Sequence, residues 1–300
     1  MGDNVFSRSW KITKLTFGVI KQDKEILLFP IISSILSIIF ILAMILPFIL
    51  TYLADSNNEN VAIGILQYVL IFILYLGLAF IATFFAVAVV NTAKKRFEGG
   101  NATFWESIGK AFSKIHYIFL WSLLSATVGL ILKIIDKMAE KAKGAGKIIL
   151  YILKGIFGLA WSLATIFVIQ GIVYHNLGPF AAIKQSIYVL KKTWGESIIK
   201  YIGLGLMQGL FTALGLIIGV PLIFLFSSIG SPMGIMIILL LTIIYITLVT
   251  LIFNVANSVF NTALYVYATQ GRIPEGYDIE SMAHAFKAKE KKVPSTHSFQ

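Results

Sequence analysis

Cysteine is missing altogether from this 300-residue sequence, which removes disulfides, thiolate metal ligands and thiol nucleophiles. Charge is scarce as well. Only 13% of residues are Asp, Glu, Lys or Arg against 58% hydrophobic, and the mean hydropathy is +0.86, far outside soluble usage. The fourteen acidic residues fall in termini, loops or span edges, with none in the middle of an apolar segment. That argues against a proton-coupled carrier built on a buried carboxylate and against an intramembrane aspartyl protease. Histidines number four. His116 and His175 stand at span ends, and His284 and His297 lie in the tail, a pattern suited to anchoring or capping helices rather than to holding a metal. No P-loop, dinucleotide glycine fingerprint or His-Glu zinc helix is visible, and Ser162 and Ser258 lack a histidine at compatible depth. The sequence therefore predicts no catalytic residues, no cofactor and no metal. Its first 25 residues are polar, so no cleavable secretory signal is evident and Ile26 onward reads as a retained first span.

What is abundant is grease in long runs. Six segments, at 26–53, 61–93, 115–135, 148–174, 198–226 and 233–268, each exceed the roughly 20 apolar residues needed to cross a hydrocarbon core. Pro30, Pro47 and Pro221 mark expected kinks or ends. The predicted fold class is all-α, a polytopic membrane bundle of six transmembrane helices. A formal net charge of +11 comes from Lys and Arg placed between and beside the spans, which fits an anionic lipid surface rather than nucleic acid. Lys94, Lys95 and Arg96 share one side with the N-terminal cluster, with Lys184, Lys191 and Lys192, and with the C-terminal lysines, while the opposite loops DSNNEN and SSIGSP carry no basic residue. Both termini are accordingly expected in the cytoplasm, in the cell membrane. The connection KIIDKMAEKAKGAGK dissents, and reads as the third span continuing as a helix into water.

The connections repeat one another. Asn91 and Gly99 precede Ser107 by sixteen and eight residues, and Gln170 and Gly178 precede Ser186 by the same intervals. An amphipathic helix follows in each case, with stripes Trp105, Ile108, Phe112, Ile115 and Ile183, Ile187, Leu190, Trp194. The amino terminus matches through Ser9, then Ile12, Leu15, Val19 and Ile26, and Asn261-Thr262-Ala263 echoes Asn91-Thr92-Ala93. This predicts a single transmembrane domain, 1–268, of three parallel pseudo-repeats (about 1–93, 99–174 and 178–268), each an interfacial helix plus a hairpin of spans. A cytoplasmic tail, 269–300, follows, with a short amphipathic helix carrying Ile279, Met282 and Phe286. The opening SRSWKITKLTFGVIKQDKEILLFP, the six spans and the basic amphipathic connections resemble a functionally uncharacterised family of six-span prokaryotic integral membrane proteins. More distantly, surface helix plus hairpin is similar to the membrane domain fused to some glycerophosphodiester phosphodiesterases. These residues hold no phosphodiesterase domain, so the resemblance implies no such activity.

Three features are candidates for function. Thr247, Thr250, Asn254, Asn257 and Asn261 share a face of the sixth span, either as a polar path for headgroups or a solute or as a hydrogen-bonded seam partnered by Gln67, Gln170 or Gln208. Gly205, Gly209, Gly215 and Gly219 have the spacing of close helix packing, within the monomer or in a homodimer. Lys110, Lys114, Lys184, Lys191 and Lys192 sit on surface helices where they can contact lipid headgroups. The expected partners are membrane lipids of anionic type, a second copy or other membrane proteins, and no nucleic acid. The sequence-level reading is a non-enzymatic, lipid-engaging membrane protein of unknown biochemical function. Its alternative is a channel or facilitative transporter along the polar face of the sixth span.

Overall fold

A computed structural model describes residues 5–54, 65–194 and 203–279. Only helices occur among the described residues: α1 (Val5–Gln22), a 3-10 turn (Lys24–Leu27), α2 (Leu28–Ala54), α3 (Ile65–Phe97), α4 (Phe104–Ser113), α5 (Ile115–Lys141), α6 (Ala145–Thr165), α7 (Val168–His175), α8 (Pro179–Trp194), α9 (Gly203–Ser228) and α10 (Pro232–Gln270). Six helical stretches are long and apolar enough to cross a membrane, and the chain is a multi-pass membrane protein. α2 and α9 run on through Pro47 and Pro221, so neither proline ends its helix. The lysine-rich connection is helical to Lys141, as expected, and turns through Gly144 at φ 57°.

One end of the bundle is packed and the other is open. Phe84 to Phe97 on α3, Phe167 at the N-terminal cap of α7 with Val168 to Val173 on it, and Phe253 to Ala268 on α10 hold most of the buried core, together with Val19, Ile20, Ile26 and Phe29. At 33 and 39 residues, α3 and α10 measure about 50 and 60 Å, longer than a hydrocarbon core of about 30 Å. Their ends on the packed side, together with α6, α7 and α9, provide the surface against which α1, α4 and α8 lie. Away from that end the paired helices expose Ile38, Leu42, Ile156, Ile217, Phe224 and Leu240, and only 6–33% of each span's most apolar stretch is buried inside the protein. Lipid has to cover the rest.

The three surface helices bury small residues. On α1 the buried row is Ser9, Thr13, Thr16 and Ile20; on α4 it is Ser107 and Ala111, with Lys114 at the C-terminal cap; on α8 it is Ala182, Ser186 and Val189. Small side chains let each helix axis come close to the bundle; on α1 Thr13 Oγ1 donates to Ser9 O at 2.7 Å and Thr16 Oγ1 to Ile12 O at 2.9 Å. The large apolar stripes legible in the sequence flank these rows. Trp105 (76% exposed) and Phe112 point outward, Ile108, Ile183 and Ile187 are half-buried, and Leu190 is buried. The Trp194 side chain, Met282 and Phe286 lie outside the described residues.

Span four is broken without proline. α6 stops at Thr165, α7 starts at Val168, and the backbone N–H of Phe167 donates to Ser186 Oγ at 3.1 Å. A freed backbone donor at membrane depth needs such a partner, and the buried serine of α8 supplies it.

Candidate functional site

Polar groups converge at the packed end. Asn91 Nδ2 donates to Ser107 Oγ at 3.2 Å, and Thr92 and Ser107 share a hydroxyl hydrogen bond of 2.7 Å. Gln170 Nε2 donates to Thr262 Oγ1 at 3.4 Å, joining α7 to α10. Gln170 Oε1 and the hydroxyls of Tyr174 and Tyr265 are buried with no partner among the described residues. Below the surface helices an ion pair fastens the start of the first span to the end of the second, with Arg96 Nε donating to Asp23 Oδ2 at 2.5 Å. Glu25 Oε2 accepts from the Phe104 N–H at 2.8 Å, and Arg272 Nη1 donates to Phe97 O at 3.0 Å. These contacts tie the connections at this end to one another.

On α10, Thr247 and Asn254 are exposed and Thr250, Asn257 and Asn261 half-buried. Asn254 lines a groove of about 210 Å³ between α2, α3 and α10, together with Ser33, Ser34 and Ser258. Of the three glutamines named as partners for this stripe, Gln170 reaches α10, but at Thr262 rather than at an asparagine. The glycines divide. Gly215 and Gly219 lie against Tyr245 and Thr242 across the α9–α10 pair, whereas no described atom lies within 4 Å of a Cβ placed at Gly205 or Gly209.

The lysines divide too. Lys184, Lys191 and Lys192 are exposed on α8. Lys114 is not at the surface: it is 8% exposed and donates to Asn176 Oδ1, where Asn176, in a left-handed conformation at φ 54°, ends α7. Burial pushes the Lys114 ammonium below the usual lysine range, and the charges of Lys110 and Lys94 push it further. Lys110 turns into an open pocket of about 380 Å³ formed by matching rows on two helices, Asn91, Lys94 and Lys95 from α3 with Glu98 just past its end, and Glu106, Gly109, Lys110 and Ser113 from α4. Lys95 pairs with Glu106, and Lys94 Nζ lies 4.8 Å from the Tyr174 ring centre. Sequence reasoning saw Lys94 and Lys95 only as markers of orientation. Their i, i+3, i+4 spacing with Asn91, repeated by Glu106, Gly109 and Lys110, was the signal for a shared face.

His116 and His175 are exposed, with tyrosine rings as their aromatic neighbours, and among the described residues no three His, Asp or Glu side chains are grouped to hold a metal. The pocket offers three ammonium groups and one amide against two carboxylates, one of them paired with Lys95, a net positive lining suited to an anion. No curated protein matches the chain. A family profile matches residues 65–275, which leaves out the opening stretch before α3 but takes in the pocket and the packed end, and the chain belongs to this family of unknown function (DUF6159).

Proposed function

We propose that this is a non-enzymatic protein of the cell membrane, with both termini in the cytoplasm, which engages anionic lipid at its packed face through three interfacial helices. One observation carries the reading. On α4 and α8 large apolar side chains are exposed beside lysines, Trp105 (76%) and Phe112 (59%) near Lys110, and Phe180 (76%) and Tyr188 (59%) near Lys184, Lys191 and Lys192. Aromatic side chains prefer the headgroup zone, and each basic residue beside an anionic leaflet contributes about 1 kcal/mol. The three helices belong, in this reading, to three parallel repeats of surface helix plus hairpin, whose serines Ser9, Ser107 and Ser186 all lie on the buried side. The similarity to the membrane domain fused to some glycerophosphodiester phosphodiesterases fits the same arrangement.

The test is tryptophan quenching by brominated lipids in reconstituted vesicles. Dibrominated phosphatidylglycerol, mixed as a minor component into phosphatidylcholine, is expected to quench more than dibrominated phosphatidylcholine at the same fraction. Lys184→Gln, Lys191→Gln and Lys192→Gln together should reduce that excess by at least half. Equal quenching by both lipids in the unaltered protein would remove the reading.

The groove at Asn254 supports a second reading, a channel or facilitative carrier, because it sets amide and hydroxyl groups at a surface otherwise facing lipid. In that reading Asn254→Leu with Asn257→Leu stops the flux of a small polar solute from loaded vesicles at unchanged melting temperature. A fall in melting temperature with no flux to lose makes the stripe structural.

A further inference from the structure

We propose that the pocket between α3 and α4 is a phosphate-binding site, taking the phosphate group of an anionic phospholipid through Lys94 and Lys110. This deepens the lipid-engaging reading and rests on it for the source of the phosphate.

The argument starts from what the same place holds elsewhere in the chain. Counted from the interval that relates Ser107 to Ser186, Lys94, Lys95 and Lys110 correspond to Val173, Tyr174 and Val189. Val173 is 2% exposed and Val189 fully buried, and Leu177, half-buried, takes the position of Glu98. Counted from Asn91 to Asn261, the two α3 lysines correspond to Leu264 and Tyr265, both fully buried. One of the other places is thus plugged with apolar side chains from both walls, and at the other the described wall is buried as well. At the third the plug is replaced by three lysines, and opposite them Gly109 has no described atom within 4 Å of where its Cβ would stand. The result is a cavity, not a packed seam.

Helix-end capping does not account for these lysines. α3 finishes with its own backbone cap, in which Gly100 N donates to Lys95 O at 2.9 Å and Gly99 N to Arg96 O at 3.0 Å, with Gly99 at φ 80°. Nor do the local carboxylates neutralise the site. Glu106 is taken by Lys95, which leaves Lys94 and Lys110 facing Glu98, with the buried Lys114 ammonium close enough to feel both lysines. Two ammonium groups and the second amide proton of Asn91 suit the tetrahedral oxygens of phosphate, since lysine binds phosphate as a compact point charge, whereas the Ser113 hydroxyl is spent on Lys110 O at 2.7 Å. The volume of about 380 Å³ exceeds that of a bare phosphate and leaves room for a glycerol moiety. Trp105 and Phe112, exposed on the same helix α4, offer apolar contact to what lies beyond the headgroup.

The test uses the full chain in detergent, titrated calorimetrically with dioctanoyl phosphatidic acid, with dioctanoyl phosphatidylcholine and with inorganic phosphate. Phosphatidic acid is expected to bind and phosphatidylcholine at least tenfold more weakly. Lys94→Gln and Lys110→Gln should each weaken binding about tenfold, whereas Lys94→Arg should retain most of it. Lys94→Val with Lys110→Val, which copies the plug at 173 and 189, should abolish binding at an unchanged melting temperature. Inorganic phosphate that binds as tightly as the lipid overturns the lipid source, and unchanged phosphatidic acid binding in both the glutamine and valine variants overturns the site. The Lys184, Lys191 and Lys192 variants leave this titration untouched, so it and the quenching experiment can fail separately.

Discussion

Asp23→Ala is expected to destabilise the folded protein by about 3 kcal/mol, and Arg96→Gln by a similar amount, because each leaves the partner's charge shielded from water with no counter-ion. The Asp23 side chain is 7% exposed and that of Arg96 18%, and Nε meets Oδ2 at 2.5 Å, so this pair lies well inside the range where removing one partner costs more than the pair contributes. Some solvent still reaches the guanidinium, which places the effect at the lower end of that range. Asp23→Leu with Arg96→Met should recover much of the loss, since two apolar groups leave no orphaned charge. Reversible unfolding in mixed micelles of the unaltered protein, Asp23→Ala, Arg96→Gln and the double variant combining those two substitutions gives the coupling energy directly. Single-variant losses below about 1 kcal/mol would mean that the pair behaves as an exposed surface bridge. The position amplifies the effect. Asp23 precedes the first span and Arg96 closes the second, and Arg272, beyond the last span, donates to the neighbouring Phe97 carbonyl, so one break loosens the junction of three segments.

That junction shows where sequence reading stops. The six spans were legible because length and apolarity are local properties; the helix ends fall within six residues of their expected places, and the widest departure is the third span running on to Lys141. The break at Phe167 was not legible. Neither proline nor glycine marks it, and what permits it is a hydroxyl nineteen residues further on. Pro47 and Pro221 carried the expected signal for kinks or ends, yet their helices continue, as happens where neighbouring helices re-satisfy the freed backbone groups. The surface helices were recognised by their apolar stripes, but the rows that pack are Ser9-Thr13-Thr16, Ser107-Ala111 and Ala182-Ser186, in which size matters more than hydropathy. Lys110 and Lys114, four residues apart, looked equivalent. One lines a pocket and the other is buried against Asn176, a difference decided by where α4 ends and α5 begins.

Gly215→Ala should cost about 3 kcal/mol, an amount large for one methyl group in a membrane helix. A Cβ at this position would fall inside van der Waals contact of Cδ1 and Cε1 of Tyr245. That ring cannot swing away freely, because its hydroxyl donates to Phe211 O at 2.9 Å, one turn earlier on the same helix as the glycine. Moving the ring loses the hydrogen bond, worth roughly 0.6–2 kcal/mol in a membrane interior, and keeping it forces α9 and α10 apart. Gly219 is held similarly by Thr242, whose Oγ1 donates to Ile238 O at 2.8 Å. Tyr245→Leu should suppress the Gly215→Ala defect, because the shorter side chain vacates the space the methyl needs. Gly205→Ala and Gly209→Ala supply the contrast. With no described atom near their Cβ positions, they should raise stability by about 0.5 kcal/mol through helix propensity alone. Thermal or denaturant unfolding of the four alanine variants settles the matter: equal effects at 205, 209, 215 and 219 would mean that the α9–α10 pair does not close on Tyr245, whereas a split between the two glycine pairs locates the tight half of the hairpin at its turn-proximal end, where α9 meets the first half of α10.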